Sequence, residues 1–201
     1  MFKEIPISKT AKPKKLLFKV ALNDAEYKVI SIIDGKKYRC PFYASWHGML
    51  TRCYSKGFQE RNVTYKGCSV DKEWLTFSSF KKWMKTKDWK NKQLDKDILY
   101  PNNKIYSSEK CLFVDQRINL LFNYHANRRG GQPIGVTFSN GKYRAFCNFN
   151  GKRKCLGLYK NASKASRSYY VRGIAYTYIN NSELYRALLT HANLILKGEI
   201  K

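Results

Sequence analysis

The sequence predicts an α+β fold, and three observations carry that expectation. Two Asn-Gly pairs, Asn140-Gly141 and Asn150-Gly151, separate alternating runs near the C-terminus. This is the strongest short-range signal for β-hairpins, because a tight hairpin turn needs two residues that tolerate positive φ. In the middle of the chain apolar residues recur at three- and four-residue steps, the mark of amphipathic helices: Trp46, Met49, Leu50 and Cys53, then Trp74, Phe77, Phe80, Trp83 and Met84. Hydrophobic residues make up 43% of the 201 positions, enough to fill a core rather than leave the chain disordered.

Taken in order, residues 1–15 read as a basic, partly flexible arm containing Pro6 and Pro13. Tyr27–Ile33 alternates and is β-branched, Asp34-Gly35 is a two-residue turn, and Lys36–Cys40 returns as a second strand. The spacing predicts helices over Pro41–Tyr54 and Val70–Met84, a short strand over Leu94–Leu99, and a helix near Ser108–Phe122. Arg128-Arg129-Gly130-Gly131 reads as a linker. Three strands follow at Ile134–Phe138, Lys142–Phe149 and Lys152–Tyr159, then helices over Ala162–Ile179 and Ser182–Leu196. The face of Leu184, Leu188, His191 and Ile195 on the last helix is expected to pack on the body. These elements group into an arm and hairpin at 1–40, a central module at 41–127, and a C-terminal module at 128–201.

Charge points to the partner. Lys and Arg number 39 against 14 Asp and Glu, a formal +25. Such an excess stores repulsion in the compact state unless a polyanion relieves it, and nucleic acid does so with release of condensed counterions. Between Asp115 and Glu183 there is no acidic residue at all, while Arg117, Arg128, Arg129, Lys142, Arg144, Lys152, Arg153, Lys154, Lys160, Lys164, Arg167 and Arg172 fall in that span. A solvated surface normally mixes signs. A membrane partner is not expected, because no stretch approaches 18 apolar residues and no long basic amphipathic helix stands out. The six cysteines show neither a C-x-x-C pair nor zinc-finger spacing, and the N-terminus lacks the apolar region of a signal peptide. The expectation is a cytoplasmic protein with free thiols, in which Cys147 and Cys155 are small core or sheet residues, and no cofactor is expected.

On the middle strand Tyr143, Ala145, Cys147 and Phe149 share one side, which should pack under the following helix. Lys142, Arg144, Phe146 and Asn148 share the other, which is free to meet phosphates or bases. The run Gly135-Val136, Gly141-Lys142-Tyr143-Arg144-Ala145, Leu156-Gly157-Leu158-Tyr159, then Ala162 and Ala165 through Tyr169, resembles the AP2 DNA-binding domain over about residues 132–179. The resemblance implies a three-stranded sheet laid on DNA and backed by one helix. Arg153 matches a basic readout position and Lys142 a phosphate-contacting one. Thr137 and Ser139 stand where such domains commonly carry arginines.

The segment from Trp46 to Phe122 resembles phage-type HNH (His-Me finger) homing endonucleases. The resembling residues include Trp46, Arg52-Cys53-Tyr54, Trp74, Phe80, Trp83, Leu94-Asp95-Lys96-Asp97, Asn103-Lys104, Cys111 and Ile118-Asn119. The resemblance implies a ββα central module and a phage-encoded protein acting in a bacterial host. It also implies a histidine to activate water and a metal-binding set, with Mg2+ as the cofactor if cleavage occurs. On this chain the histidine position falls at Lys96, the residue before the cysteine is Lys110, and the last metal-side position is Asn119. A lysine ammonium has no lone pair for a metal or a proton. Asp95 and Asp97, two apart on a strand, share a face and either converge on a metal or pair with neighbouring lysines. Candidate catalytic residues are therefore Asp95, Asp97 and Asn119. Candidate nucleic-acid contacts are Arg128, Arg129, Lys142, Arg144, Asn148, Lys152, Arg153, Lys154, Lys96 and Lys110. His47, His125 and His191 lack a second ligand one helical turn away. The expected function is to occupy double-stranded DNA or structured RNA, ribosomal RNA included, without cutting it. An active metal-dependent endonuclease and a non-specific DNA-coating protein are the alternatives.

Overall fold

The computed structural model describes residues 2–8, 16–122, 131–149, 151–175 and 182–199. The protein is α+β, and its chain forms two compact units. One comprises Met1–Lys90 with Asn103–Phe113, the other Asn91–Asn102 with Val114–Lys201. The expected boundaries at 40 and 127 differ from this division. The expected 41–127 module is shared between the units, because the chain leaves the first unit at 90, returns at 103 and leaves again at 113.

In the first unit, strands β1 (Ile30–Ile33) and β2 (Lys36–Arg39) form the expected antiparallel hairpin. Its turn places Asp34 at φ 50° and Gly35 at φ 73°, the doubly left-handed turn that matches the twist of paired strands. Of the expected partly flexible arm, residues 2–8 pair with the segment before β1, and residues 9–15 lie outside the described residues. The Ile7 amide donates to the Glu26 carbonyl at 3.0 Å, and Lys28 donates to Ile5 at 2.8 Å. Helix α1 covers Pro41–Tyr54 as expected, with Pro41 in its first turn, where a missing N–H costs nothing. Its buried stripe of Tyr43, Trp46, Met49, Leu50 and Cys53 lies against Phe77, Phe80 and Met84 of a later helix. Trp46 is wholly buried, and its indole N–H reaches the Trp74 carbonyl at 2.7 Å, so this large core side chain leaves no polar atom unsatisfied. The short helix α2 (Lys56–Arg61) follows.

The helix expected over Val70–Met84 is broken. Ser69–Val70 is a strand, β3, which pairs in parallel with β5 (Ile105–Tyr106). Lys72–Leu75 is a 3-10 turn capped by the Asp71 side chain, and only Phe77–Lys85 is α-helical, as α3. Thr76 between them is extended. The apolar spacing survives the break because a 3-10 turn and an α-turn both bring every third or fourth residue inward.

In the second unit, strand β4 is confined to Gln93–Asp95. The helix expected near Ser108–Phe122 is strand β6 (Leu112–Val114), where the chain passes from the first unit to the second, and then helix α4 (Gln116–Leu121). Strands β7 (Val136–Ser139), β8 (Lys142–Phe149) and β9 (Lys152–Tyr159) form one antiparallel sheet in that order. The first turn holds Asn140 at φ 52° and Gly141 at φ 70°. Helix α5 (Ala162–Ala175) covers one face, burying Ala165, Tyr169, Tyr170 and Ile174 against Val136, Ala145, Cys147 and Leu156. The expected continuation of α5 through Ile179 lies outside the described residues. Helix α6 (Ser182–Lys197) packs on α5 through Leu188, His191 and Ala192. Leu184 and Ile195, expected on the same buried face, are half-buried.

Candidate nucleic-acid interface

The face of the β7–β8–β9 sheet opposite α5 is built by strand alternation and pairing register. Along β8, Ala145 and Cys147 point to the helix and are buried, while Lys142, Arg144 and Asn148 are exposed and Phe146 is half-buried. Directly paired residues share a face. Register therefore sets Ser139 beside Lys142, Thr137 beside Arg144, Cys155 beside Phe146 and Arg153 beside Asn148. The pairing steps from Ala145↔Gly157 to Phe146↔Cys155, so Leu156 is an extra residue on β9, a β-bulge. The bulge turns Leu156 into the core and leaves its carbonyl to accept from the Arg172 guanidinium at 2.7 Å. Arg172, one of the cations of the acid-free span, is thereby a structural residue of α5.

At the centre of the open face the Arg153 guanidinium lies over the Phe146 ring, 3.9 Å from its centroid, and Arg144 stands 5.9 Å from the same ring. Two expectations change here. Lys154 pairs with Cys147, which puts it on the helix side of the sheet, and its ammonium draws down the Cys147 thiol that burial pushes up. Cys155, expected as a small core or sheet residue, is a sheet residue but is exposed on the open face. Lys152 is exposed at the hairpin end of β9. Arg128 and Arg129 lie outside the described residues, as does His125.

The residues expected to descend from a metal site take other partners. One Asp95 carboxylate oxygen accepts the backbone amides of Asp97 and Ile98, at 2.8 and 2.7 Å. That turn is what ends β4 at Asp95, short of the expected Leu99. Burial pushes the Asp95 carboxyl above the usual carboxylate range, the Ile98 amide opposes this, and the Asp97 charge adds to it. Asp97 pairs at 2.5 Å with Lys96, whose side chain is 5% exposed. One aspartate thus caps backbone amides and the other is paired with an ammonium, and the reading in which an aspartate pairs with a lysine holds for Asp97. Lys96, expected as a nucleic-acid contact, is buried with its ammonium on Asp97. Sequence reasoning missed this although a signal was present, since Leu94, Lys96 and Ile98 share one phase of the alternation and all three are buried. The Asn119 side-chain amide donates to the Gln93 side chain at 2.8 Å, and its Oδ1 is buried with no hydrogen-bond partner among the described residues. His191 is 7% exposed, packs at a tilt against Phe122 with ring centroids 4.5 Å apart, and hydrogen-bonds to the Asp97 backbone. Lys110 is half-buried in the first unit. Among the described residues no three His, Cys, Asp or Glu side chains are grouped as a metal would need. With one aspartate capping amides and the other paired with an ammonium, this set does not fit Mg2+.

No helix among the described residues is long and apolar enough to cross a membrane. Compared with protein-family models, with curated proteins and with solved structures, the chain matches none, so the chemistry of its open sheet face is read from its own residues.

Proposed function

We propose that the protein binds nucleic acid through the open face of the β7–β8–β9 sheet and occupies DNA or structured RNA without cutting it. The observation that carries this reading is the convergence of Lys142, Arg144, Asn148 and Arg153 on one solvent-facing surface, within a span of sequence free of carboxylates. Guanidinium and ammonium groups there have phosphate as their natural counterion, because no protein anion in that span competes for them. The resemblance of residues 132–179 to AP2 domains adds to this reading, and the sheet backed by one helix agrees with it. Binding without cleavage is supported by the fate of the would-be catalytic set. Hydrolysis of a phosphodiester by an HNH-type centre needs a base and a metal together, whereas here Asp95 holds backbone amides and Asp97 holds the Lys96 ammonium.

The test is a salt titration of binding to duplex DNA and to a structured RNA. The log of affinity is expected to fall steeply with log salt for at least one of them. Replacing Arg144 and Arg153 together by Ala is expected to weaken binding by about 1–3 kcal/mol for each base that these arginines touch, and by less if they touch phosphate alone. A salt-independent affinity, or a double variant as tight as the parent, would remove the proposal. Supercoiled DNA and folded RNA are expected to stay intact with Mg2+ or Mn2+. Cleavage by the unaltered protein that disappears in Asp95→Ala would instead establish a nuclease.

A further inference from the structure

The open sheet face carries more than charge. Its centre is an aromatic ring, Phe146, on the middle of three strands, with one guanidinium over it at 3.9 Å and another at 5.9 Å. Its register partner is Cys155, and the diagonal position on β7 is Thr137, both short side chains. The ring's cross-strand neighbours are therefore short, while the long side chains Arg144 and Leu158, paired with each other, stand farther along the strands. A phosphate-only surface has no use for this arrangement: a half-buried phenyl ring gains nothing from phosphate, and a guanidinium lying over a ring is drawn from the strand edge toward the centre of the face.

The arrangement suits a base with a free π-face. Inside a duplex both faces of every base are covered by its neighbours, so a protein ring meets only edges and sugars. Bases in loops, bulges and single strands have an open face, and they stack on aromatic rings and on guanidinium planes alike. Thr137 and Ser139 are too short to reach far into a groove, so β7 adds no long donor to read base edges in an intact duplex.

We propose that Phe146, with Arg153 and Arg144, is a stacking platform for an unpaired base, so that the preferred partner is a looped or single-stranded segment of nucleic acid rather than uninterrupted duplex. This rests on the sheet face being the binding surface. Lys142 and Asn148 then hold the flanking backbone, while the platform holds the base. Stacking of one base on an aromatic residue changes affinity by about 5- to 150-fold, which makes a preference on the order of tenfold the expected size.

The experiment measures affinity of the full-length protein for four probes of equal length and charge at one salt concentration. These are a blunt DNA duplex, a DNA hairpin with a large loop, and the RNA counterpart of each. Looped probes are expected to bind about tenfold tighter than the duplex of the same sugar. The difference between the DNA and RNA arms identifies the source of the unpaired base. In Phe146→Leu, and independently in Arg153→Lys, which keeps the charge and loses the plane, the ratio of looped to duplex affinity is expected to fall toward one. Folding of both variants is checked by thermal denaturation, and Arg153→Lys, a surface change, carries the test if Phe146→Leu unfolds. Steep salt dependence with equal affinity for looped and duplex probes would overturn the platform and leave phosphate binding in place. Salt-independent binding to every probe would overturn both.

Discussion

His191 illustrates how one residue can link stability to pH. Burial on α6 lowers its pKa below the ordinary 6.5, and the charge and backbone hydrogen bond of Asp97 only partly oppose this. The folded protein therefore keeps the ring neutral under conditions where the unfolded chain protonates it. A group with a depressed folded pKa contributes stability that is fully present above the unfolded value and is lost as pH falls through the folded one. His47, whose pKa is lowered by burial and then by Arg39, acts in the same direction. Asp95 acts in the opposite one: its carboxyl is raised, so its ionisation as pH rises removes stability. The expected outcome is a decline in the denaturation midpoint as pH is lowered from about 7.5 into the range below 6.5. The decline should be shallower in His191→Gln, and the comparison isolates the imidazole from the opposing carboxylate. A slope identical in both proteins would mean that this ring does not titrate differently on unfolding.

At the scale of elements, β7 shows what a single backbone conformation controls. Gly135 precedes it at φ 68°, its carbonyl accepts the Phe146 amide at 2.7 Å, and a Cβ there would lie 2.6 Å from the Phe146 carbonyl oxygen and would collide with the Tyr169 ring. Alanine would meet both a left-handed backbone and a clash with main chain that cannot swing aside. Gly135→Ala is expected to cost about 2–4 kcal/mol, read by chemical denaturation. Gly141→Ala, with φ 70° but open space around its Cβ, should cost only about 1–2 kcal/mol. The hairpins and α1 were legible in the sequence because local rules decide them: Asn-Gly and Asp-Gly turns, and an uninterrupted helical stripe beginning at Pro41. The Val70–Met84 stretch was not, because parallel pairing of Val70 with Tyr106, a residue distant in sequence, takes its first residues away from the helix. Leu112–Val114 was missed for the same reason. Of the candidate interface, the alternation of β8 showed which side would be open. The pairing that sets Arg153 beside Asn148, next to Phe146, runs unbroken from Phe149↔Lys152 and follows the hairpin, whereas the inward turn of Leu156 depends on a bulge, and nothing local announces a bulge.

At the scale of the whole molecule, the excess of cations is divided almost evenly between the two units rather than concentrated in the sheet-bearing one. A polyanion as long as an oligonucleotide then meets more charge than the open face supplies. Removing Arg144 and Arg153 is expected to lower the salt slope by about 2 and leave most of it standing. A slope that vanished in the double variant would confine binding to the sheet.

The path of the chain between its two units also bears on how the protein is made. Residues 91–102 belong to the second unit and 103–113 to the first, and a left-handed asparagine stands at each of these crossings, Asn91 at φ 59° and Asn102 at φ 63°. Asparagine tolerates that conformation better than any other residue but glycine, so the reversals are written into the backbone. During synthesis the first unit cannot be completed when its residue 90 emerges, because β3 must wait for Ile105 and Tyr106 to arrive as its parallel partner. Meanwhile Gln93 and Asp97 have already left the ribosome, before the Asn119 and His191 side chains they will meet have been made. The nascent chain thus carries unfinished parts of both units at once, and neither is a contiguous piece of sequence that a single cut would release intact.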